Sequence, residues 1–431
     1  MKFLRGVWVP LVASLLGLFA PAAQAQPYEL LLKGGHVLDA RNGIDEVRDV
    51  AIQGGKIAAV GTLKESDAKQ VVQAKGLYVV PGLIDIHAHV FHGVDPDGGY
   101  SNGLRALPPD GFTFRAGVTT VVDAGGSGWR SFPLFKRQVI DVAQTRVLAF
   151  LNIVGIGMAG DPAEQNTGDM DARLTALRVT QFPKVIVGIK TAHFRAPEWT
   201  AVDRAVEAGR MSNVPVMVDF GEFVSDRPWR QLVTTHLRPG DIYTHFFLGA
   251  VPLLDASGQV QPYVYQARKR GIIFDVGHGG GSFVFRQAVP AMKEGFWPDS
   301  LSTDLHINSM NSGMKDMTNL MSKFLAMGMP LKEVVARSTW NPAREIKRED
   351  LGHLTPGAVA DVTVLSVDIG RFGYVDVDGG KLEGNQRLQA ELTIRAGNIV
   401  WDLNGISKQE WSKVPVKEEP DERWPPREKR H

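Results

Sequence analysis

From about Tyr28 to Val80 the chain is a series of short apolar runs: Leu30-Leu31-Leu32, His36-Val37-Leu38, Val50-Ala51-Ile52 and Lys56-Ile57-Ala58-Ala59-Val60. Gly34-Gly35, Asn42-Gly43 and Gly54-Gly55 separate them as hairpin-type turns, and no long helical pattern intervenes. This predicts a β region over residues 26–81. From Gly82 to about Leu351 the texture changes, and apolar strand-like runs alternate with amphipathic helical ones. That alternation is the signature of βα units and a parallel sheet. The strand candidates are Leu83–His89, Val118–Asp123, Val147–Val154, Val185–Lys190, Val214–Asp219, Asp241–Phe247, Ile272–Val276 and Ser300–Asp304. Helical stretches between them include Asp171–Gln181, Trp199–Met211 and Pro262–Arg270.

Eight strands in roughly 270 residues match an α/β fold of the (β/α)8 TIM-barrel type. A doubly wound open sheet fits less well, because ligand-type residues come from both ends of the strand order. After the barrel, residues 352–403 return to β, with Ala360–Leu365 and Glu391–Gly397 as strands ending in turn signals. Edge strands need partners, so the two β segments are expected to pair into one small sandwich. Residues 404–431, rich in charge and proline towards the end, read as a tail.

The first residues stand apart from this pattern. Lys2 and Arg5 are followed by an apolar stretch from Val7 to Ala20 and by Ala23-Gln24-Ala25, a small-residue cleavage site. This predicts a signal peptide over 1–25, cut before Gln26, and a periplasmic or secreted protein. The stretch is too short to favour a spanning helix. The chain has no cysteine, which excludes disulfides, thiolate ligands and lipoprotein attachment. Any metal must then be held by histidine, carboxylate or a modified lysine. Its 48 basic and 47 acidic residues nearly cancel, so charge gives no reason to expect nucleic acid or an acidic membrane surface as partner.

Candidate chemistry sits where the strand-like runs end. His87 and His89 close the run Val79–Ile86, and residues i and i+2 of a strand share a face, so two imidazoles form half of a metal site. Lys190, His245, His278 and Asp304 end or follow later strands in that order. Several strands delivering such residues to one end is how a barrel builds an active site. Lys190 ends a central strand, where an ammonium is costly unless paired or modified. As a carbamate formed with CO2 it would offer two oxygens to two cations. Asp304 is placed to hold a metal-bound water and take its proton. His278, in a glycine-rich loop, is a candidate to hydrogen-bond a substrate carbonyl or carboxylate, and Arg195 to pair with a substrate carboxylate. His92, His193 and His306 lie nearby in sequence and read as supporting or local residues.

The chain resembles the amidohydrolase superfamily, and within it the dihydroorotase-like deacetylases of bacteria. The resemblance rests on Pro81–His89, Val187–Lys190, Thr244-His245, Phe274–Gly279, Ser302–Asp304, Thr339–Ala343 and Leu354–Asp361. It implies a distorted barrel with a β-sandwich from both termini, and two divalent cations, commonly zinc. His87 and His89 would bind the buried ion, carboxylated Lys190 would bridge both, and Asp304 would be ligand and proton shuttle. The histidines of strands five and six would bind the second ion. Here strand five ends in Asp219 instead. Aspartate binds zinc, so a carboxylate can replace one imidazole; otherwise the second ion is lost, or Glu222 contributes.

The expected function is hydrolysis of an acyl amide or ester on a small molecule, such as an N-acyl amino acid or acetylated hydroxy acid. A hydroxide bridging the metals would attack the carbonyl. A dihydroorotase-like cyclic-amide hydrolase is the alternative, made less attractive by the export signal. A degenerate barrel that binds a metal or a small acid is a third reading, suggested by Asp219.

Overall fold

The computed structural model describes residues 26–93 and 103–415. The expected signal peptide and the end of the expected tail lie outside the described residues. Among them, no helix is long and apolar enough to cross a membrane. The strands in chain order are β1 (Tyr28–Asp39), β2 (Ile44–Gln53), β3 (Lys56–Gly61), β4 (Ala68–Gln73), β5 (Tyr78–Pro81), β6 (Leu83–Ala88), β7 (Val118–Gly128) and β8 (Arg146–Asn152). They continue with β9 (Ile186–Thr191), β10 (Val216–Val218), β11 (Ile242–Tyr243), β12 (Ile273–Phe274), β13 (Val362–Val375), β14 (Lys381–Arg395) and β15 (Asn398–Asp402).

β6 to β12 form a seven-stranded sheet in sequence order, every pair parallel. Its helices follow the expected pattern. Asp171 caps helix Ala172–Gln181 by accepting from the backbone N–H groups of Arg173 and Leu174, and helix Thr200–Ser212 stops at Asn213 in a left-handed conformation. Ile84, Ile86, Val122, Phe150, Val187, Met217 and Ile242 belong to one buried cluster, so each strand from β6 to β11 contributes to the same core.

The expected eighth strand, Ser300–Asp304, is not a continuous strand, although it closes the barrel. Parallel bridges join Ser300 to Asp275 on one side and Leu305 to Ala88 on the other. His278 N–H donates to Ser302 O at 3.1 Å and His89 N–H to Leu305 O at 2.9 Å. The pleat breaks because Asp304 has φ +51°, outside the extended region.

The remaining strands build a single mixed sheet, in the order β15-β14-β13-β5-β1-β2-β3, with β4 also on β1. β1 pairs in parallel first with β4, from Tyr28 to Lys33, and then with β5, at His36 and Val37. β5 pairs antiparallel with β13, joining the two ends of the chain. Leu30, Val37, Val50 and Val79 share a buried cluster with Val362, Val364, Leu392 and Ile394. The β13–β14 hairpin also reaches the barrel. Ser322 of helix Met317–Ala326 accepts from Leu388 N–H at 2.9 Å, and Asp376 accepts from Phe285 N–H at 2.9 Å.

Candidate metal centre

The strand ends bring His87, His89, Asp219, His245 and Asp304 to the wall of one inner cavity of about 100 Å³, shared with Arg105, Met158, His193 and His306. His87, His245 and Asp304 each offer a ligand atom within 4.8 Å of the others. Imidazole nitrogens and carboxylate oxygens at such spacing suit zinc and its divalent neighbours. A wider cavity of about 530 Å³ opens above, lined by Gly280, Ser282, Asn308 and Ser312 among others.

The His87 ring orientation is fixed by a chain of hydroxyls. Thr244 Oγ1 donates its one hydrogen to Asp275 Oδ2 at 2.8 Å, so it accepts from His87 Nδ1–H at 2.9 Å. The His87 Nε2 lone pair is thereby left for a ligand, and Lys190 Nζ lies 3.1 Å from it. Burial, reinforced by the Lys190 charge, holds His87 well below the usual imidazole range, which favours the neutral, ligating form. Lys190 is fully buried, with this nitrogen and Met217 Sδ, at 3.8 Å, as hydrogen-bond partners of its Nζ. Burial lowers its pKa, against the opposing pull of Asp219 and Asp304. His245 donates from Nδ1 to Gly277 O at 2.5 Å, which turns Nε2 towards Asp219.

Asp304 Oδ1 lies 2.9 Å from His89 Nε2, and Oδ2 is 3.7 Å from His306 Nε2. Burial would raise this carboxyl, but the neighbouring His87 and the hydrogen bonds from His306 and His89 outweigh it and hold it well below the usual range. Seven non-glycine residues have positive φ among the described residues, and three of them, His193, His245 and Asp304, line this cavity. Such clustering of costly backbone geometry marks a functional site.

Gly125, at φ +89°, makes room for the lysine. A Cβ there would fall 2.6 Å from Lys190 Cγ and 2.9 Å from its Cβ. Gly125→Ala should therefore displace Lys190 and lower both stability, by about 1–3 kcal/mol, and bound divalent metal, with every metal-binding side chain still present. Denaturation and elemental analysis measure both; wild-type values in each would remove Gly125 from the site.

Two expected residues are turned elsewhere. His278 donates from Nδ1 to Gly279 O at 2.9 Å, receives Lys323 Nζ on Nε2 at 2.7 Å, and stacks on Phe283. Both ring nitrogens are thus engaged by the protein rather than offered to a substrate. Burial lowers Lys323 to about 7, and it also donates to Val375 O in the sheet hairpin. Arg195 stands half-exposed at the rim, paired with Asp161 and 4.0 Å from Glu222. Glu222 is exposed there and does not join the cluster.

The sequence places Thr244 and Asp275 within motifs but gives them no role of their own, and it gives His193 only a supporting place. The structure puts His193 Nε2 3.1 Å from Asp219 Oδ2. Burial opposes protonation of His193, but the Asp219 and Glu164 carboxylates push it up to about 10.

Comparison with known proteins bears on what such a centre does. Residues 256–401 match the family described as Amidohydrolase family. A deacetylase of Agrobacterium fabrum is 35% identical over 343 residues, 77% of this chain and 79% of the relative. The chain belongs to the amidohydrolase superfamily. A deacetylase of Enterococcus faecalis is 29% identical over 381 residues, 86% of this chain and 99% of its own. The crystal structure of an adenine deaminase superposes with TM-score 0.79 at 28% identity, over 87% of this chain and 100% of that one. That of a dihydroorotase gives 0.74 at 28% identity, over 86% and 97%. These relatives place this amidohydrolase in the dihydroorotase-like deacetylase subgroup, as a metal-dependent hydrolase with the barrel and β domain described above. The superfamily generally binds divalent metals, and the buried His87, His245 and Asp304 donors fit them.

Proposed function

We propose that this chain is an exported hydrolase, freed of residues 1–25, that removes an acyl group from a small acid. The substrate class is an N-acyl amino acid or an acetylated hydroxy acid. His87, His89 and Asp304 would hold one zinc ion, Asp219 and His245 a second, and Lys190 as a carbamate would reach both. The observation that carries this reading is Lys190: a fully buried lysine whose nitrogen lies 3.1 Å from an imidazole lone pair, among carboxylates and histidines. An ammonium is poorly served there, whereas a carbamate offers two oxygens to the cluster.

Divalent cations bound here supply Lewis acidity, which lowers the pKa of water and polarises an acyl carbonyl. The protein's own groups do the rest. Asp304 takes the proton of the attacking water at Oδ2, the oxygen not bonded to His89, and returns it to the leaving nitrogen or oxygen. The wider cavity admits the body of a small substrate. Arg105, on the inner wall, and Arg195, at the rim, are both placed to meet a substrate carboxylate.

Protein produced with zinc and bicarbonate should turn over members of a panel of N-acetyl amino acids and acetyl esters, and a chelator should stop it. Absence of chelator-sensitive turnover across the panel would sink the proposal. Likeness to the dihydroorotase structure favours a second reading, ring-opening of a cyclic amide, and dihydroorotate in the same panel tests it.

A further inference from the structure

Strand five of this chain lacks an imidazole, and the structure offers a replacement from a different element. We propose that His193, on the turn after β9, is a ligand of the second cation together with Asp219 and His245. This rests on the two-cation reading above.

Three observations carry it. The first is spacing. Asp219 Oδ2 lies 3.1 Å from His193 Nε2 and 3.4 Å from His245 Nε2, while Oδ1 is held by Gly221 N–H at 3.2 Å. Donors about 2.0–2.1 Å from a tetrahedral zinc ion stand roughly 3.3 Å apart, so Asp219 Oδ2 already stands at ligand-to-ligand spacing from each of the two imidazole nitrogens.

The second is orientation. His193 Nδ1 lies 3.2 Å from Glu164 Oε2, and Glu164 is buried. An imidazole that gives its Nδ1–H to a carboxylate aims Nε2 at the opposite side, and a cation that displaces the Nε2 proton facing Asp219 would meet that nitrogen's lone pair, as in metal-ligating histidines. His245 is arranged alike, with Nδ1 on Gly277 O.

The third is the way the turn is built. His193 has φ +55°, a conformation that costs free energy in a residue with a side chain. Its carbonyl accepts from Gln165 Nε2 at 2.8 Å, and the next carbonyl, of Phe194, accepts from the buried Arg227 at 2.7 Å. Gly221 faces it: a Cβ there would lie 2.8 Å from His193 Cα. Two elements are thus shaped to bring this ring to Asp219. The imidazole missing from strand five returns from the neighbouring turn, and the carboxylate stands where the imidazole was.

The test counts zinc per chain by elemental analysis after dialysis against a fixed low zinc concentration, with thermal unfolding to establish that each variant folds. Wild type should hold two ions and His193→Ala one. The double variant His193→Ala/Asp219→His, which puts an imidazole back on strand five, should regain the second. Glu164→Gln, which keeps the ligands and weakens their orientation, should lower second-site affinity by about 10–100-fold. Two ions in folded His193→Ala, one ion in wild type, or no recovery in the folded double variant overturns the proposal. If the zinc counts follow the expected series and no substrate is turned over, the assignment of His193 stands and the hydrolase reading falls.

Discussion

Asp304→Asn should lower kcat by about 10³-fold or more, towards the upper end of what positioned proton transfer contributes, while zinc-loaded protein keeps close to its normal metal content. Asparagine has nearly the same shape and offers a carbonyl oxygen where Asp304 Oδ1 meets His89 at 2.9 Å. It cannot take a proton. The native carboxyl can, because its neighbouring imidazoles hold it ionised and its placement at the barrel seam faces the cavity. The measurement is kcat beside zinc per chain. Activity within about tenfold of wild type would assign the proton to another group, with His306 the next candidate by position.

Lys190→Ala should remove most bound zinc and about 10³-fold or more of the turnover, since several kcal/mol of transition-state stabilisation depend on the ions. This variant also separates two roles for the residue. If Lys190 acts as a carbamate, a short carboxylate such as propionate can enter the space vacated by the side chain and restore zinc binding. If it acts as an ammonium, propylamine should rescue instead. Rescue by the amine alone would overturn the carbamate, and wild-type zinc content in unsupplemented Lys190→Ala would remove the lysine from the centre.

The sequence carried the parts of this site that depend on local periodicity. His87 and His89 share a face because strand residues alternate, and Lys190 could be located because an apolar run ended in a cation. Helix Ala172–Gln181 was legible in its amphipathic spacing, and the Asp171 that opens that stretch proves to be its cap. The final barrel segment was read as a plain strand because nothing local reveals that Asp304 turns into a left-handed conformation. His193 was undervalued for a similar reason. Its role requires that turn, a buried Glu164 some thirty residues earlier, and a glycine on another strand end to come together, and no periodicity records that. The His278 loop looked like a substrate contact because glycines flank it. Its partner Lys323 comes from a helix far along the chain, and only packing shows that the two meet.

That last contact makes the barrel and the sheet a single inheritance. A stop codon or a recombination breakpoint after residue 351 would deliver all the metal-binding side chains intact. It would also strip Val375 O from Lys323 and Leu388 from Ser322, leaving a buried cation short of an acceptor one residue contact away from His278. The catalytic barrel is therefore not a cassette that evolution, or an engineer, can move alone; its outer sheet travels with it.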